Sequence, residues 1–206
     1  MQNIAPEHDS DEGKRRAFDI LVSMLGLVIL SPLMLIIGLL IKLESPGPVF
    51  FKQKRAGRDE KAFEIIKFRS MAVAEPGEQT VNATIQDMDN FVFRPTGHKT
   101  VIGRALRACS LDELPNLLNV LKGDLHLVGP RPDELEMVAQ YRPDWRRRHV
   151  VKPGITGLAQ IHGRTDLPYG EMMAYDLAYV ERRSFSRDVA IMLKTFRVVA
   201  RREGAR

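Results

Sequence analysis

The sequence predicts an α+β protein that is attached to a membrane through one N-terminal segment. Three observations carry this prediction. The stretch from Ile20 to Ile41 contains no charged residue, and as a helix it would measure about 33 Å, enough to cross the hydrocarbon core of a bilayer. Two short runs rich in β-branched and aromatic residues follow it, as is typical of a hairpin. Two later segments carry apolar residues at helical spacing.

The membrane segment is interrupted in its middle by Ser31 and Pro32. Proline inside a helix removes one backbone hydrogen bond and clashes with the carbonyl four residues earlier, which costs about 3 kcal/mol, so we expect a bend there. Basic residues flank the segment at 14–16 and from Lys42 onward, and each flank is expected on the cytoplasmic side. A helix that enters the bilayer, breaks at Ser31-Pro32 and returns to the same face satisfies both flanks. A kinked helix that spans the bilayer is the alternative.

The same features predict how the chain is divided. We expect a mobile polar N-terminus over residues 1–16, a re-entrant membrane helix over 17–43 and a cytoplasmic catalytic domain over 44–206. A cleavable signal peptide is not expected, because the hydrophobic segment is long and lacks a small-residue cleavage site.

Within the catalytic domain, Val49–Arg55 and Ala62–Arg69 are predicted as the two strands of the hairpin. A short helix is expected near Ile85–Phe91. Leu111–Leu121 and Arg187–Arg202 have the spacing of amphipathic helices. The second is also strongly basic, so it is expected either to pack on the domain or to lie on the bilayer surface.

Composition narrows the function classes without choosing one. The 206 residues carry a net charge of +5 and a single cysteine, Cys109, so an internal disulfide is excluded. Basic clusters suit anionic lipids, nucleic acids or phosphorylated substrates equally well. The sequence contains no P-loop, GxSxG motif or His/Cys cluster, so a Walker-type NTPase, an α/β-hydrolase and zinc chemistry lack support.

The most informative run begins at Ser110 and includes Asp112 and Glu113. Ser110 with Glu113 three residues later has the spacing of a capping box, which is a structural explanation for the acidic pair. A helix N-terminus is equally an anion site. Arg131 lies between two prolines in Gly129-Pro-Arg-Pro132, and a guanidinium held in such a stiff turn suits bidentate phosphate binding. A surface ion pair is the alternative for Arg131.

Four motifs in order give the chain a family resemblance. They are "KRRAFDILVSMLGLVILSPLMLIIGLLIKLESPGPVFFKQKRAG", "IIKFRSM", "SLDELPNLLNVLKGDLHLVGPRP" and "VKPGITGLAQIHGR". Together they resemble the bacterial sugar transferases, the small monotopic phosphoglycosyl transferases, over nearly the whole chain. The extra N-terminal domains of larger members are not seen, and we expect a minimal catalytic unit.

The resemblance implies a transferase that moves a sugar-1-phosphate from a UDP-sugar to undecaprenyl (polyprenol) phosphate and releases UMP. The family's membrane segment is re-entrant and broken at Ser-Pro, which favours the hairpin for Ser31-Pro32. Its catalytic Asp-Glu pair falls on Asp112, the nucleophile and magnesium ligand, and Glu113. Its other substrate- and phosphate-binding positions fall on Lys67, Arg131, Arg164 and Asp188.

The resemblance also implies the setting and the partners. The catalytic domain is expected on the cytoplasmic face of the bacterial inner membrane, with Mg²⁺ as cofactor. The expected partners are the UDP-sugar, undecaprenyl phosphate and the lipid bilayer, with no nucleic acid, and a homodimer is compatible with the pattern. The product would initiate an exopolysaccharide, O-antigen, capsule or glycoprotein glycan.

The sequence departs from the family pattern at positions that bear on sugar specificity: Leu158, His162, Thr165 and Tyr169. Two other function classes stay open at this point. One is a membrane-anchored module that binds nucleic acid or anionic lipid, and the other is a metal-dependent phosphohydrolase.

Overall fold

The computed structural model describes residues 11–72, 85–92, 98–163 and 166–200. Its first element is the helix α1, Glu12–Glu44, 33 residues long. The helix therefore begins before the boundary at residue 17 that the sequence predicts, and takes in the basic residues at 14–16. Arg16 explains this early start, because its guanidinium donates to the carbonyl oxygens of Val120 at 2.6 Å and Leu121 at 2.7 Å. These carbonyls lie in the last turn of a later helix, where a cation is stabilising.

The predicted break at Ser31-Pro32 does not interrupt α1, which is helical through both residues. Pro32 has no N–H to give to the carbonyl four residues earlier, at Val28. The hydroxyl of Ser31 donates to that Val28 oxygen instead, at 2.8 Å. Serine before the proline thus satisfies the carbonyl that the proline leaves without its helical partner.

Both ends of α1 pack on the rest of the chain, whereas its middle does not. Near the N-terminal end Asp19 and Ser23 are buried, and near the C-terminal end Ile37 and Ile41 are buried. Between them the side chain of Val28 is 71% exposed. By length and composition α1 is long and apolar enough to cross a membrane. An exposed apolar surface of this size on a helix needs a partner such as lipid.

A buried polar joint fixes the N-terminal end of α1. Asp19 Oδ2 lies 2.5 Å from Nδ1 of His126, and Asp19 Oδ1 accepts the backbone N–H of Leu127 at 3.1 Å. One turn earlier, Arg15 Nε donates to Asp188 at 2.5 Å. Polar groups that are buried in this way need partners, and these partners hold the helix in one position.

The predicted hairpin is confirmed. Strands β1, Phe50–Ala56, and β2, Ala62–Phe68, pair antiparallel around a 3-10 turn at Arg58–Glu60. A second, smaller sheet that the sequence does not predict joins β3, His126–Val128, to β4, Gly154–Thr156, in parallel.

Five further α-helices lie in the described part of the chain, beside short 3-10 segments: α2, Val101–Ala108; α3, Asn116–Lys122; α4, Leu135–Ala139; α5, Tyr169–Glu181; and α6, Phe185–Ala200. The last confirms the amphipathic helix that is predicted from Arg187. Its Leu193 and Phe196 remain 64% and 70% exposed.

Two predicted helices differ in the structure. The helix expected over Leu111–Leu121 is divided into a 3-10 turn, Leu111–Glu113, and α3. Pro115 at the start of α3 is the reason, since a proline fits the first turn of a helix but not its interior. The helix expected at Ile85–Phe91 is wrong. Its described residues form a turn in which the backbone N–H of Asn90 bonds the carboxylate of Asp87, and this local bond competes with a helix.

The joint between α1 and β3 predicts a pH dependence of stability. Burial alone would lower the pKa of His126, but its hydrogen bonds to Asp19 and Glu12 outweigh burial and raise the pKa. The stabilisation is therefore complete below the unfolded pKa of about 6.5 and is lost as pH rises through the higher folded pKa. We expect the melting temperature to fall more between pH 6 and pH 9 in the wild type than in His126→Gln, measured by thermal unfolding in detergent.

The exposed His98 provides the control. His98→Gln should keep the pH slope of the wild type. Equal slopes for the wild type and His126→Gln would contradict the predicted role of the joint.

Candidate functional site

The acidic pair lies in a tight turn rather than on a regular helix. Ser110 has left-handed backbone angles, with φ of 56°, and its side chain does not cap the turn that follows. The capping box that the spacing of Ser110 and Glu113 indicates is therefore wrong. The carboxylate of Glu113 has stronger partners elsewhere, and Pro115 begins the helix.

Glu113 is held between two cations from distant parts of the chain. Its Oε1 accepts from Nζ of Lys67 at 2.9 Å and from Nη2 of Arg131 at 2.7 Å. Burial would raise the pKa of Glu113, but Arg131 and Lys67 lower it far below its usual value. The carboxylate is thus ionised at neutral pH, and it keeps two cations together that would otherwise repel each other.

Asp112, the residue before Glu113, is not held by cations in this way. It is half-buried, and its carboxylate forms no hydrogen bond or ion pair within the described ranges. Burial and the charge of Glu113 raise its pKa, against the lowering effect of Lys67, Arg107 and Arg131. A carboxylate that is accessible, unpaired and close to cations is suited to act as a nucleophile or as a metal ligand.

A buried amide fixes Lys67 against the acidic turn. Asn119 of α3 accepts the backbone N–H of Ile66 at 3.1 Å and donates to the carbonyl of Glu64 at 2.7 Å. The Asn119 side chain therefore links the backbone of β2 to α3, the helix that follows the acidic turn. Sequence reasoning missed Asn119, because a polar residue on a short helix is more often exposed.

The loop that carries Arg131 follows β3 and is held by close backbone contacts. A Cβ added to Gly154 would lie 2.1 Å from the backbone nitrogen of Gly129, so only glycine allows the loop to approach β4 this closely. The Gly129 N–H donates to the carbonyl of Thr156 at 2.8 Å, and the Ala56 N–H of the hairpin donates to that of Asp133 at 2.9 Å. The stiff turn that the prolines predict is thus anchored on both sides.

Comparison with known proteins identifies the family of the chain. A family model described as bacterial sugar transferase matches residues 11–202. The chain belongs to the bacterial sugar transferase family. The match includes α1 and every element that contributes to the Asp112–Glu113 site.

The names of three curated relatives describe the activities of family members. The chain is 41% identical over 198 residues to the UDP-N-acetylgalactosamine-undecaprenyl-phosphate N-acetylgalactosaminephosphotransferase of Aeromonas hydrophila, covering 93% of this chain and 45% of that protein. It is 40% identical over 190 residues to the UDP-glucose:undecaprenyl-phosphate glucose-1-phosphate transferase of Caulobacter vibrioides, covering 88% and 68%.

It is also 41% identical over 192 residues to the exopolysaccharide production protein PSS of Rhizobium leguminosarum bv. phaseoli, covering 88% and 92%. The chain spans less than half the length of the Aeromonas relative and of two further relatives.

The structure brings together four of the site residues that the sequence predicts for this bacterial sugar transferase: Lys67, Asp112, Glu113 and Arg131. Arg164 lies outside the described residues. Asp188 is buried, and its carboxylate binds Arg15 at 2.5 Å and the hydroxyl of Tyr179 at 2.8 Å. It therefore contributes to the attachment of α1 instead of joining the Glu113 cluster.

The departures from the family pattern also have positions in the structure. Tyr169 is buried beside Tyr141 and Trp145, so it is part of the core. His162 stacks on Tyr175 with ring centroids 4.6 Å apart. Leu158, His162 and Tyr175 line one open cavity of about 440 Å³. Thr165 lies outside the described residues.

The donor set bears on the expected magnesium ion. Within the described ranges there is no group of three or more His, Cys, Asp or Glu side chains that could hold a metal. Mg²⁺ is commonly bound through one or two carboxylates together with the phosphates of a substrate. Asp112 fits this mode as the free carboxylate, whereas Glu113 is already held by two cations.

The contrast between the two carboxylates predicts unequal effects of their substitution on stability. Glu113→Gln removes the charge that Lys67 and Arg131 share, and we expect it to lower the free energy of unfolding by about 1–3 kcal/mol. Asp112→Asn removes a charge that the fold disfavours, and we expect a change within about 0.5 kcal/mol. Denaturant unfolding in detergent measures both.

Glu181, which is paired with Arg147 on the surface, gives the control Glu181→Gln, for which little change is expected. If Asp112→Asn lowered the free energy of unfolding as much as Glu113→Gln, the two carboxylates would contribute equally to stability, which would contradict this prediction.

Proposed function

We propose that the protein transfers a sugar-1-phosphate from a UDP-sugar to undecaprenyl phosphate and releases UMP. The observation that supports this proposal most directly is that Asp112 is an unpaired carboxylate beside two partly buried cations, Lys67 and Arg131. Family membership and the names of the relatives, which specify undecaprenyl phosphate as acceptor, support the same choice. The lipid-linked product would be the first unit of an exopolysaccharide or another surface glycan.

The chemistry follows from the difference between the carboxylates. Asp112 attacks the phosphorus that bears the sugar, a new bond forms from its carboxylate oxygen to that phosphorus, and the bond to UMP breaks. A phosphate oxygen of undecaprenyl phosphate then attacks the same phosphorus and displaces Asp112. A covalent intermediate divides one difficult transfer into two easier steps.

The charges around Asp112 suit a diphosphate. Lys67 and Arg131 carry two positive charges, of which Glu113 neutralises one. The remaining positive charge is available to the donor phosphates and to the leaving UMP. Cations that are already in place stabilise developing negative charge without reorganisation during the reaction. When bound, Mg²⁺ would add Lewis-acid stabilisation of the diphosphate, and Asp112 is the residue that would hold it.

Glu113 has a separate role in this proposal. Its lowered pKa makes it a poor base at neutral pH. It acts by keeping Lys67 and Arg131 close to Asp112, so that the two cations share one binding region. We infer that Asp112 is the nucleophile and that Glu113 positions the two cations.

The membrane segment places this chemistry at the bilayer surface. The polar residues Asp19 and Ser23 and the apolar residues Ile37 and Ile41 all pack on the same folded part, and we infer from this that both ends of α1 lie on one side of the membrane. This supports a re-entrant helix that dips into the cytoplasmic leaflet around Ser31-Pro32. An active site at that depth can meet both a water-soluble donor and a lipid acceptor.

Activity tests the proposal directly. With undecaprenyl phosphate and a panel of UDP-sugars, we expect UMP release by the wild type with at least one donor. We expect a loss of about 10³-fold or more for Asp112→Asn, because a missing nucleophile removes the covalent route. The exposed Asp144 gives the control Asp144→Asn, which should keep the wild-type rate.

Release of free sugar phosphate without undecaprenyl phosphate would instead identify a phosphohydrolase. Full activity of Asp112→Asn would exclude the proposed nucleophile.

Labelling of single cysteines tests the re-entrant helix. In a Cys109→Ser background, Lys14→Cys before the membrane segment and Lys61→Cys on the hairpin turn should both react with a membrane-impermeant maleimide in inverted vesicles and neither in intact spheroplasts. Val28→Cys, in the apolar middle of α1, should be protected in both. Reaction of Lys14→Cys in intact spheroplasts would place the two sites on opposite faces and favour a spanning helix.

A further inference from the structure

Arg148 is a buried arginine that the sequence presents as part of a surface cluster. It follows Arg146 and Arg147, which are both partly exposed in ion pairs, yet its own side chain is 1% exposed. It lies in the 3-10 segment Trp145–Val150. Burying a guanidinium is costly unless its donors and its charge are satisfied, so the partners of Arg148 indicate why it is there.

Its partners converge on the loop that carries Arg131. Nη2 of Arg148 donates to the backbone carbonyl of Arg131 at 2.6 Å and to Oδ2 of Asp176 at 2.5 Å. Nη1 donates to the carboxylate of Asp133 and to the hydroxyl of Tyr141, the latter at 2.6 Å. The two amino groups of one planar guanidinium thus hold residues on both sides of Pro132.

The same residue, Arg131, is fixed at its two ends by different groups. Arg148 holds its backbone carbonyl, while its side chain reaches Glu113 at 2.7 Å. A shift of the carbonyl would move the guanidinium away from Glu113 and so away from Asp112. The turn has few other ways to absorb such a shift, because its prolines restrict the backbone.

The ion pairs keep Arg148 in this orientation. Asp133 and Asp176 supply two carboxylates, and Asp176 is itself buried. A lysine has one ammonium on a flexible chain, which cannot reproduce the planar fork that serves the carbonyl and both carboxylates together. The requirement for arginine therefore comes from geometry as well as from charge.

We propose that Arg148 is a positioning residue for Arg131, which acts on the transfer reaction without touching the substrates. This inference rests on the proposed function. In catalytic sites a misplacement of about 1 Å costs about 10²-fold in rate. We therefore expect Arg148→Lys to lower kcat by about 10- to 100-fold, with a smaller change in the KM for the UDP-sugar.

A double-variant cycle separates positioning from general destabilisation. If Arg148 acts through Arg131, its effect should largely vanish once the Arg131 guanidinium is gone. Arg148→Lys added to Arg131→Lys should then lower kcat by less than about 3-fold further, against about 10- to 100-fold in the wild-type background. Equal losses in the two backgrounds would overturn the proposal.

Two further variants keep the test decisive. Arg147→Lys, the exposed neighbour, should retain wild-type kinetics. Tyr141→Phe removes one partner of Arg148 without removing the charge, and should lower kcat about 3- to 10-fold in the Arg131 background only. Should Arg148→Lys fail to fold, the cycle is run with Tyr141→Phe, and an additive loss there overturns the proposal.

Hydrogen exchange gives a readout that does not depend on activity. Arg148→Lys or Tyr141→Phe should increase amide exchange of residues 129–134 more than that of α6. Unchanged exchange in that loop would contradict positioning even if activity falls. A wild type that is inactive with every donor would refute the proposed function instead, and the exchange result would still decide whether Arg148 holds the loop.

Discussion

The Glu113 carboxylate between Lys67 and Arg131 is the interaction on which the site depends. It brings together the second strand of the hairpin, the acidic turn before α3 and the loop after β3. Two cations at one carboxylate oxygen hold these segments at hydrogen-bond distance, and removal of the carboxylate would leave like charges facing each other. In this arrangement Lys67 and Arg131 compensate the charge of Glu113, whereas Asp112 has no such partner. Adjacent acidic residues thereby acquire different roles from their surroundings alone.

The long apolar helix α1 and the site are parts of one packed unit. The N-terminal end of α1 is attached to β3 through Asp19 and His126, and the loop with Arg131 follows β3 directly. The C-terminal end packs through Ile37 and Ile41 against Phe68, one residue beyond Lys67. The position of the helix therefore bears on the two segments that supply the cations. The apolar helix is thus built into the fold that carries the site.

Much of this could be predicted from the sequence, where the signal is local or where the family motif is strong. The composition of Val49–Arg55 and Ala62–Arg69 predicts the hairpin, and the periodicity after Arg187 predicts α6. The residues alone indicate Asp112, Glu113 and Arg131 as candidates for an anion site, whereas Lys67 and the catalytic roles come only from the resemblance. Nothing in their spacing alone shows that the side chains meet.

Some of the differences arise where a long-range contact overrides a local pattern, whereas the helix expected at Ile85–Phe91 is replaced by a turn with a local bond from Asn90 to Asp87. The Ser110–Glu113 spacing indicates a capping box, but two distant cations bind Glu113. Arg148 in a run of three arginines has the appearance of a solvated cluster, and a core position for it follows only from the carboxylates that the fold brings to it.

The central claim is that Asp112 carries the phosphosugar covalently while Glu113 does not. It is tested most directly by mass spectrometry of the rapidly quenched protein, incubated with the productive UDP-sugar in the absence of undecaprenyl phosphate. The account predicts a phosphosugar adduct on Asp112 that disappears when undecaprenyl phosphate is added, and that never forms on Asp112→Asn. An adduct on Glu113 or on another residue, or a wild type that turns over with UMP release but without any adduct, would contradict it.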